Sequence, residues 1–497
     1  MFHFHRCIRK FSSTTMRKST IFALSSGRGK CGVAVIRVSG PHASTALKEI
    51  AGLDTLCTPR YALLRNLCNP ETKEVLDKGL ILWFPGPCSF TGEDSCEFQV
   101  HGGIAVVSSI LKALGSIKNF RLASPGEFTK RAFYNGKLDL TEAEGLADLL
   151  SAETEMQRKQ ALLQTKGHLS NIYKSWKYLL IKSLANLEAF IDFHETENID
   201  NEVKDETVQI IIKLCDNIRK HLRHGTRGER LRNGVRTVLV GKTNVGKSSL
   251  INLLANRTVA IVTPVHGTTR DVLEVTLDIN GYPLVLLDTA GIRPATTDSI
   301  EKEGISRTLD TCRESDLVIL IIDSEQYLAW YKSNLGKPFF DFIIPHIENL
   351  NISNYLIVKG ANDSVVFKKQ CIIIANKIDL IKDEDLYIFG SFHSIISCKS
   401  QKGLEHLINE ITNQLKILCS EPSKEDPTMT QMRHREHLTK CLDYLEAFVN
   451  EKDSIDFKAD LMAEQLRKAL HQLNKLTGAF TTEQLLDIVF KNFCIGK

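Results

Sequence analysis

Between residues 20 and 136, short apolar runs at 32–38, 79–84 and 97–100 are cut by turn residues such as Pro85, Gly86, Pro87, Gly102 and Gly103. Apolar runs of that length bounded by turns predict strands, and 104–114 predicts a helix, so this region reads as an α+β domain. From about residue 141 glycine becomes scarce, and Ile172, Trp176, Leu180, Leu184, Leu187 and Ile191 recur every three or four residues. That is the spacing of one helix face, and it continues to about residue 222. Residues 235–416 change pattern again, with β-branched runs at 237–240, 284–287, 317–323 and 371–375 alternating with polar helical stretches. Such alternation predicts a doubly wound parallel sheet. Residues 421–430, polar and carrying Pro422 and Pro427, read as a linker, and the chain is then helical to about 490. Two helical blocks around an α/β unit predict a multidomain chain: an α+β N-terminal domain, a discontinuous α-helical domain, and an α/β domain inserted into it. The stretch 324–370 is long for a connection between two strands, which implies either an extra lobe or a disordered loop.

A length of 497 residues agrees with about three domains. The net charge of +4 is too small to imply a nucleic-acid partner by itself. Local clustering is more telling: Arg219, Lys220, Arg223, Arg227, Arg230, Arg232 and Arg236 form either a surface for RNA phosphates or a solvated basic hinge. The 13 cysteines show no paired CxxC spacing, which argues against a disulfide framework or structural zinc and fits a reducing compartment. No apolar run approaches the roughly 18 residues needed for a membrane span. Arg6, Arg9, Lys10, Arg17 and Lys18, interleaved with Ser12, Ser13, Thr14 and Thr15, precede the first acidic residue, Glu49. A basic, hydroxyl-rich, acid-free start predicts a mitochondrial transit peptide over 1–19, the alternative being a plain basic tail.

The chemistry concentrates in 235–416. GKTNVGKS at 241–248 follows the strand 237–240 and precedes a helix, the context that a P-loop requires. Backbone N–H groups of Asn244, Val245, Gly246, Lys247, Ser248 and Ser249 would ring the phosphates at a helix N-terminus. Lys247 would reach the outer phosphates, and the Ser248 hydroxyl would ligate magnesium. Asp288, Thr289, Ala290 and Gly291 end the strand 284–287, where a carboxylate can hold the magnesium shell and a glycine amide can meet the γ-phosphate. Asn376, Lys377 and Asp379 end the strand 371–375, and Ser397, Cys398 and Lys399 follow 395–396. A carboxylate at 379 can accept both N–H groups of the guanine edge, a donor pair that adenine lacks. Four such motifs in order specify a P-loop GTPase domain. In Ras-type enzymes a glutamine directly after the DTAG motif orients the attacking water; here that position is Ile292.

Outside this domain the chain resembles the MnmE (TrmE) tRNA-modification GTPases in their mitochondrial form. The resemblance rests on GVAVIRVSG at 32–40, SFTGED at 89–94 with HGG at 101–103, SPGEFTKRAF at 124–133, GKLDL at 136–140 and the terminal FCIGK at 493–497. It implies a potassium ion bound by Asn244, Thr263, Val265 and Thr268, offsetting charge on the transferring phosphoryl group as an arginine finger does elsewhere. It further implies Thr269 on magnesium and Glu301 as the group that orients water. Thr243 stands where the family usually has proline, and Pro264 and His266 lie within the potassium loop. The same resemblance implies a folate-binding N-terminal domain that also mediates homodimerisation. It would take 5-formyltetrahydrofolate or a related reduced folate through Arg37, Glu97, Lys137 and Lys497. Arg37 read alone is equally a structural salt-bridge partner, and Cys494 is either a reactive thiol or an inert buried one. An FAD-containing partner of the MnmG (GidA) type and mitochondrial tRNA complete what the family implies. The expected division is 1–19 transit peptide, 20–136 N-terminal domain, 137–234 and 417–497 the two halves of the helical domain, and 235–416 the GTPase domain between them.

Overall fold

The computed structural model describes residues 19–27, 29–193, 201–257, 260–261, 274–287, 311–350, 352–359, 365–425, 427–452, 455–478, 483–491, 493 and 495–497. The chain divides into two compact units, one of Met1–Ala147, Thr165–Lys177 and Leu470–Lys497, the other of Asp148–Gln164 and Tyr178–Ala469.

In the first unit six strands form one sheet, three of them matching the runs predicted at 32–38, 79–84 and 97–100. The six are β1 (Thr20–Leu24), β2 (Cys31–Ser39), β3 (Leu63–Cys68), β4 (Val75–Phe84), β5 (Ser95–Gly102) and β6 (Phe120–Leu122), in the order β3-β4-β5-β2-β1-β6. All neighbours are antiparallel except β1 and β6. Alternate residues Ala34, Ile36 and Val38 of β2 and Cys96, Phe98 and Val100 of β5 are buried, because successive side chains of a strand point to opposite faces. They share a core with Ala46, Leu47 and Ile50 of the helix Ala43–Ala51 and with Ile110 and Leu114 of the predicted helix Ile104–Gly115. A second, smaller core joins Phe133 and Leu140 to Phe490 and Phe493 near the C-terminus. Gly126 permits that closure: at φ +68°, an added Cβ would meet the Phe490 carbonyl oxygen at 2.2 Å.

The second unit is built on a seven-stranded sheet. Its strands are β7 (Val235–Val240), β8 (Ala260–Ile261), β9 (Glu274–Ile279), β10 (Tyr282–Leu287), β11 (Leu317–Asp323), β14 (Gln370–Asn376) and β15 (Ser394–Ile395), in the order β15-β14-β11-β7-β10-β9-β8. From β15 to β10 the strands are parallel, and the β8 and β9 edge is antiparallel. Every residue of β11 is buried, as expected for a strand covered on both faces. Leu404, Leu407, Ile411 and Leu415 of the helix Leu404–Cys419 cover one face.

The segment after β11 is an extra lobe, resolving the choice left open by its length. It contains the helices Ser324–Ser333, Phe340–Asn349 and Ser353–Leu356 and a hairpin of β12 (Ile357–Lys359) and β13 (Val365–Phe367). Tyr327 sits at its centre, with ring centroids of Phe392 at 4.9 Å, Phe342 at 5.1 Å, Phe389 at 5.5 Å and Phe339 at 5.8 Å. Such edge and tilted contacts are the geometry that aromatic quadrupoles favour.

The helix Asn201–Asn233 continues well past residue 222, so the basic segment is not a hinge. Its arginines have partners remote in sequence. Arg219 pairs with Glu446 at 2.7 Å, Arg230 with Asp316 at 2.8 Å and Arg232 with the buried Asp148 at 2.6 Å. Gly234 alone, at φ +84°, separates this helix from β7. The 421–430 linker has no helix or strand among its described residues, as predicted, yet it is tied down: Met429 is fully buried, and Thr430 bonds Asp148 and Gln164 at 3.0 Å each. Among the described residues no helix is long and apolar enough to cross a membrane, and the described cysteines are free thiols.

Candidate functional site

The edge of the second sheet where β7, β11 and β14 end carries the predicted pocket. β7 stops at Val240 and the helix Lys247–Arg257 begins seven residues later, leaving 241–246 as the loop. Asn244 takes the left-handed conformation (φ +61°), which Asn tolerates better than most residues. Gly246 has φ +101°, and a Cβ there would lie 2.2 Å from Asn376 Nδ2. Only glycine fits. Val245 is buried and anchors the loop, whereas Asn244, Ser248 and Ser249 are not buried. Ser248 and Ser249 lie in the first helical turn, where backbone N–H groups lack intrahelical acceptors. Lys247 Nζ donates to the carbonyls of Gly241 at 2.8 Å and Lys242 at 2.7 Å. Burial lowers its pKa, so an incoming polyanion would restore a favourable environment for the charge.

Asn376 holds the loop to the segment expected to read the base. Its buried side chain donates to Val245 O at 2.7 Å and accepts from the Cys398 N–H at 3.2 Å. Lys377, left-handed at φ +67°, sends Nζ to Asp323 at 2.7 Å. Asp379 is exposed, and its Oδ1 accepts from the Ser397 hydroxyl at 2.5 Å. Lys399 is also exposed. Two supports escaped the sequence reading: Asp323, and Ser324, whose hydroxyl donates to the Asn376 carbonyl at 2.6 Å. Their position at the end of β11, on the same sheet edge, was the available signal. His346 of the lobe feels this loop only through charge: its pKa is driven down to about 4 by burial and, secondarily, by the Lys242 charge. Thr263, Val265, Thr268, Thr269, Asp288, Thr289, Ala290, Gly291, Glu301 and Cys494 lie outside the described residues.

In the first unit, strand register sets Arg37 opposite Glu97, and the two form an ion pair at 2.9 Å. The Arg37 guanidinium also lies 5.4 Å from the Phe90 ring centroid and 5.9 Å from that of Phe128, within cation–π range. Lys137 Nζ donates to Pro87 O at 3.0 Å, and its Cγ lies against Gly92, so it holds the same loop that carries Phe90. Lys497 is half-buried at the end of a tail laid on β1. Ser25 donates to Gly496 O at 2.9 Å, and a Cβ on Gly496 would meet the Leu24 carbonyl at 2.1 Å. Ala23, next to Leu24, is the β1 neighbour of Arg37. Thus Arg37 and Glu97 touch, while Lys137 and the tail of Lys497 flank them through other elements.

Known proteins resemble this chain in sequence along nearly its whole length. The GTP-binding protein TrmE N-terminus family matches residues 20–137, and the MnmE helical domain family matches 140–494. The mitochondrial 5-taurinomethyluridine-[tRNA] synthase subunit GTPB3 of Danio rerio is 46% identical over 98% of this chain and 95% of its own length. The protein of the same name from Homo sapiens is 43% identical, covering 99% and 96%. The tRNA modification GTPase MnmE of Parvibaculum lavamentivorans is 42% identical, covering 96% and 100%.

Proposed function

The chain belongs to the MnmE (TrmE) family of tRNA modification GTPases, as a mitochondrial member and a GTP hydrolase, and from that premise we propose the following activity. It is a potassium-stimulated GTPase that, with an FAD-dependent MnmG-type partner, forms the 5-carboxymethylaminomethyl or 5-taurinomethyl group on the wobble uridine of mitochondrial tRNAs. The observation that supports guanine as the base is the exposed Asp379 carboxylate, steadied by Ser397 beside a loop that Asn376 ties to Val245. Ser248 and Asn244 offer accessible oxygen atoms at the loop, which suits hard cations. Magnesium on Ser248 and Thr269, with potassium on Asn244, Thr263, Val265 and Thr268, would offset the charge that develops on the phosphoryl oxygens. Glu301 would orient water in place of the absent glutamine, and Asp288 and Gly291 would follow the γ-phosphate.

The N-terminal unit, in a homodimer, would hold 5-formyltetrahydrofolate or a related reduced folate as the carbon source. Arg37, Lys137 and Lys497 suit its carboxylates, and Glu97 suits pterin N–H donors. The pair uses only Arg37 Nε and Glu97 Oε1, so the remaining guanidinium N–H groups and the second carboxylate oxygen could engage the ligand. In this reading 1–19 is the transit peptide, 20–136 the folate and dimer domain, 235–416 the GTPase domain, and 137–234 with 417–497 one helical domain that it interrupts. GTP hydrolysis would drive domain movement, while Cys494 serves the carbon chemistry. The rival is a GTP-dependent RNA or ribosome assembly factor without covalent RNA chemistry. Deleting residues 494–497 separates the two: mass spectrometry of mitochondrial tRNA should show lost wobble modification while the purified chain still hydrolyses GTP faster in potassium than in sodium. Normal modification in the deletion strain would favour the rival; equal rates in the two salts would remove the proposed potassium site.

A further inference from the structure

At the end of the second sheet opposite the nucleotide edge lies a cleft of about 760 Å³. Register pairs Leu317 with Gln370 at the cleft end and Asp323 with Asn376 at the other. Six residues at about 3.3 Å each separate the two ends by about 20 Å. The cleft is therefore not part of the nucleotide pocket. Its volume is within the usual range for small-ligand sites, roughly 300–1,000 Å³.

Two kinds of side chain line it. Arg230, Lys368 and Lys369 face a single carboxylate, Asp316, which Arg230 already engages. Lys369 Nζ is fixed by three carbonyls, of Cys312, Arg313 and Ser315, each at 2.7 Å; these bonds hold its charge in place without neutralising it. Lys368 is exposed and donates to Asn354 O at 2.6 Å. The other kind is aromatic. Phe340 is 41% exposed, with the ring of Phe339 at 5.8 Å and that of Phe367 at 6.3 Å. Phe339 is in turn braced on Phe392 at 4.9 Å, so the outward ring rests on a rigid stack.

Polar atoms are also available for a ring edge. His393 Nδ1 accepts the Ile373 N–H at 3.1 Å, which places the imidazole hydrogen on Nε2 as a donor. A leftover cationic charge beside an exposed, supported aromatic face, with the imidazole donor of His393 next to it, matches a π-faced base carrying phosphate. The carboxylates of an acidic peptide would satisfy the lysines but bring no aromatic face to Phe340.

We propose that this cleft binds one nucleotide unit of a single-stranded RNA segment, its base stacked on Phe340 and its phosphate beside Lys368. The inference rests on the reading of this chain as acting on tRNA, and it assigns a share of that contact to the lobe. The test uses the full chain and a fluorescein-labelled ten-residue oligouridylate, with dissociation constants from anisotropy across a salt series. Phe340→Ala should weaken binding about tenfold or more. Lys368→Glu should weaken it and lower the salt-dependence slope by about one. Both variants should keep the parent GTP hydrolysis rate.

Affinities unchanged in both variants would overturn the proposal. So would uridine monophosphate binding as tightly as the oligonucleotide, since the site would then serve a free nucleotide, or an acidic peptide displacing the oligonucleotide at lower concentration. Wobble modification is a separate readout. If cells lacking the protein keep modified tRNA, the functional reading falls even when the cleft binds RNA; if modification is lost and the variants bind normally, only the cleft assignment falls.

Discussion

The nucleotide edge of the second unit and the charged end of the first treat their polar groups in opposite ways. Around the P-loop, supporting groups spend their hydrogen bonds on one another: Asn376 bridges Val245 and Cys398, Ser324 holds Asn376, and Ser397 holds Asp379. What is left accessible is the surface proposed for ligand, at Asn244, Ser248 and Asp379. At the end of the first unit the charges proposed for ligand neutralise each other instead, in the Arg37–Glu97 pair. The first arrangement is preorganised, so binding costs little rearrangement. In the second, each charge already has its counter-charge at 2.9 Å, so a ligand there has to share or displace that pair and gains less from it.

The sharpest way to break this contrast is Gly246→Ala. The added methyl meets Asn376 Nδ2 at 2.2 Å, and moving that buried amide breaks two hydrogen bonds at about 1–3 kcal/mol each. GTP affinity, measured by titration calorimetry, should fall more than about 100-fold. A fall below about threefold would mean the loop is not held from the Asn376 side. In the first unit, Arg37→Met should be milder. It should weaken binding of 5-formyltetrahydrofolate about tenfold, by loss of one charge-assisted contact, and leave GTP affinity unchanged. Folate affinity that rises in this variant would show that the ion pair only opposes binding.

The smallest effect concerns acid. His346 has its pKa lowered from 6.5 to about 4, so the unfolded chain binds the extra proton first as pH falls. The stability contributed by the neutral ring is complete above about pH 6.5 and is lost as the pH drops toward 4. His346→Phe, which keeps a ring against Phe342 at the present 4.5 Å centroid contact, should flatten the melting temperature over that window by a few degrees. An unchanged acid slope would place the sensitivity elsewhere.

The sequence showed the nucleotide edge well because its elements are local. A glycine-rich loop between strand and helix, and an Asn-Lys-Ile-Asp run at a strand end, carry their context within about ten residues. The strands 317–323 and 371–375 agree with β11 and β14 to within one residue for the same reason. Contacts across long separations stayed hidden. Arg37 and Glu97 lie 60 residues apart and meet only through the β2–β5 register. The structural pairing of the basic segment was not visible because Glu446, Asp316 and Asp148 lie 227, 86 and 84 residues from the arginines they bind. The lobe after β11 was obscured by its own composition: its Tyr327 cluster draws Phe389 and Phe392 from beyond β14, so no single window displays the core.

Gly234 has a further consequence for how this protein tolerates change. A helix of 33 residues enters the strand that leads into the glycine-rich loop through one residue. Inserting or deleting a single amino acid in the last turn of the helix, before that joint, would turn the rest of it by about 100°. It would swing Arg230 away from Asp316 and Arg232 away from Asp148 together, so the spacing of the joint is constrained as tightly as any side chain in the pocket.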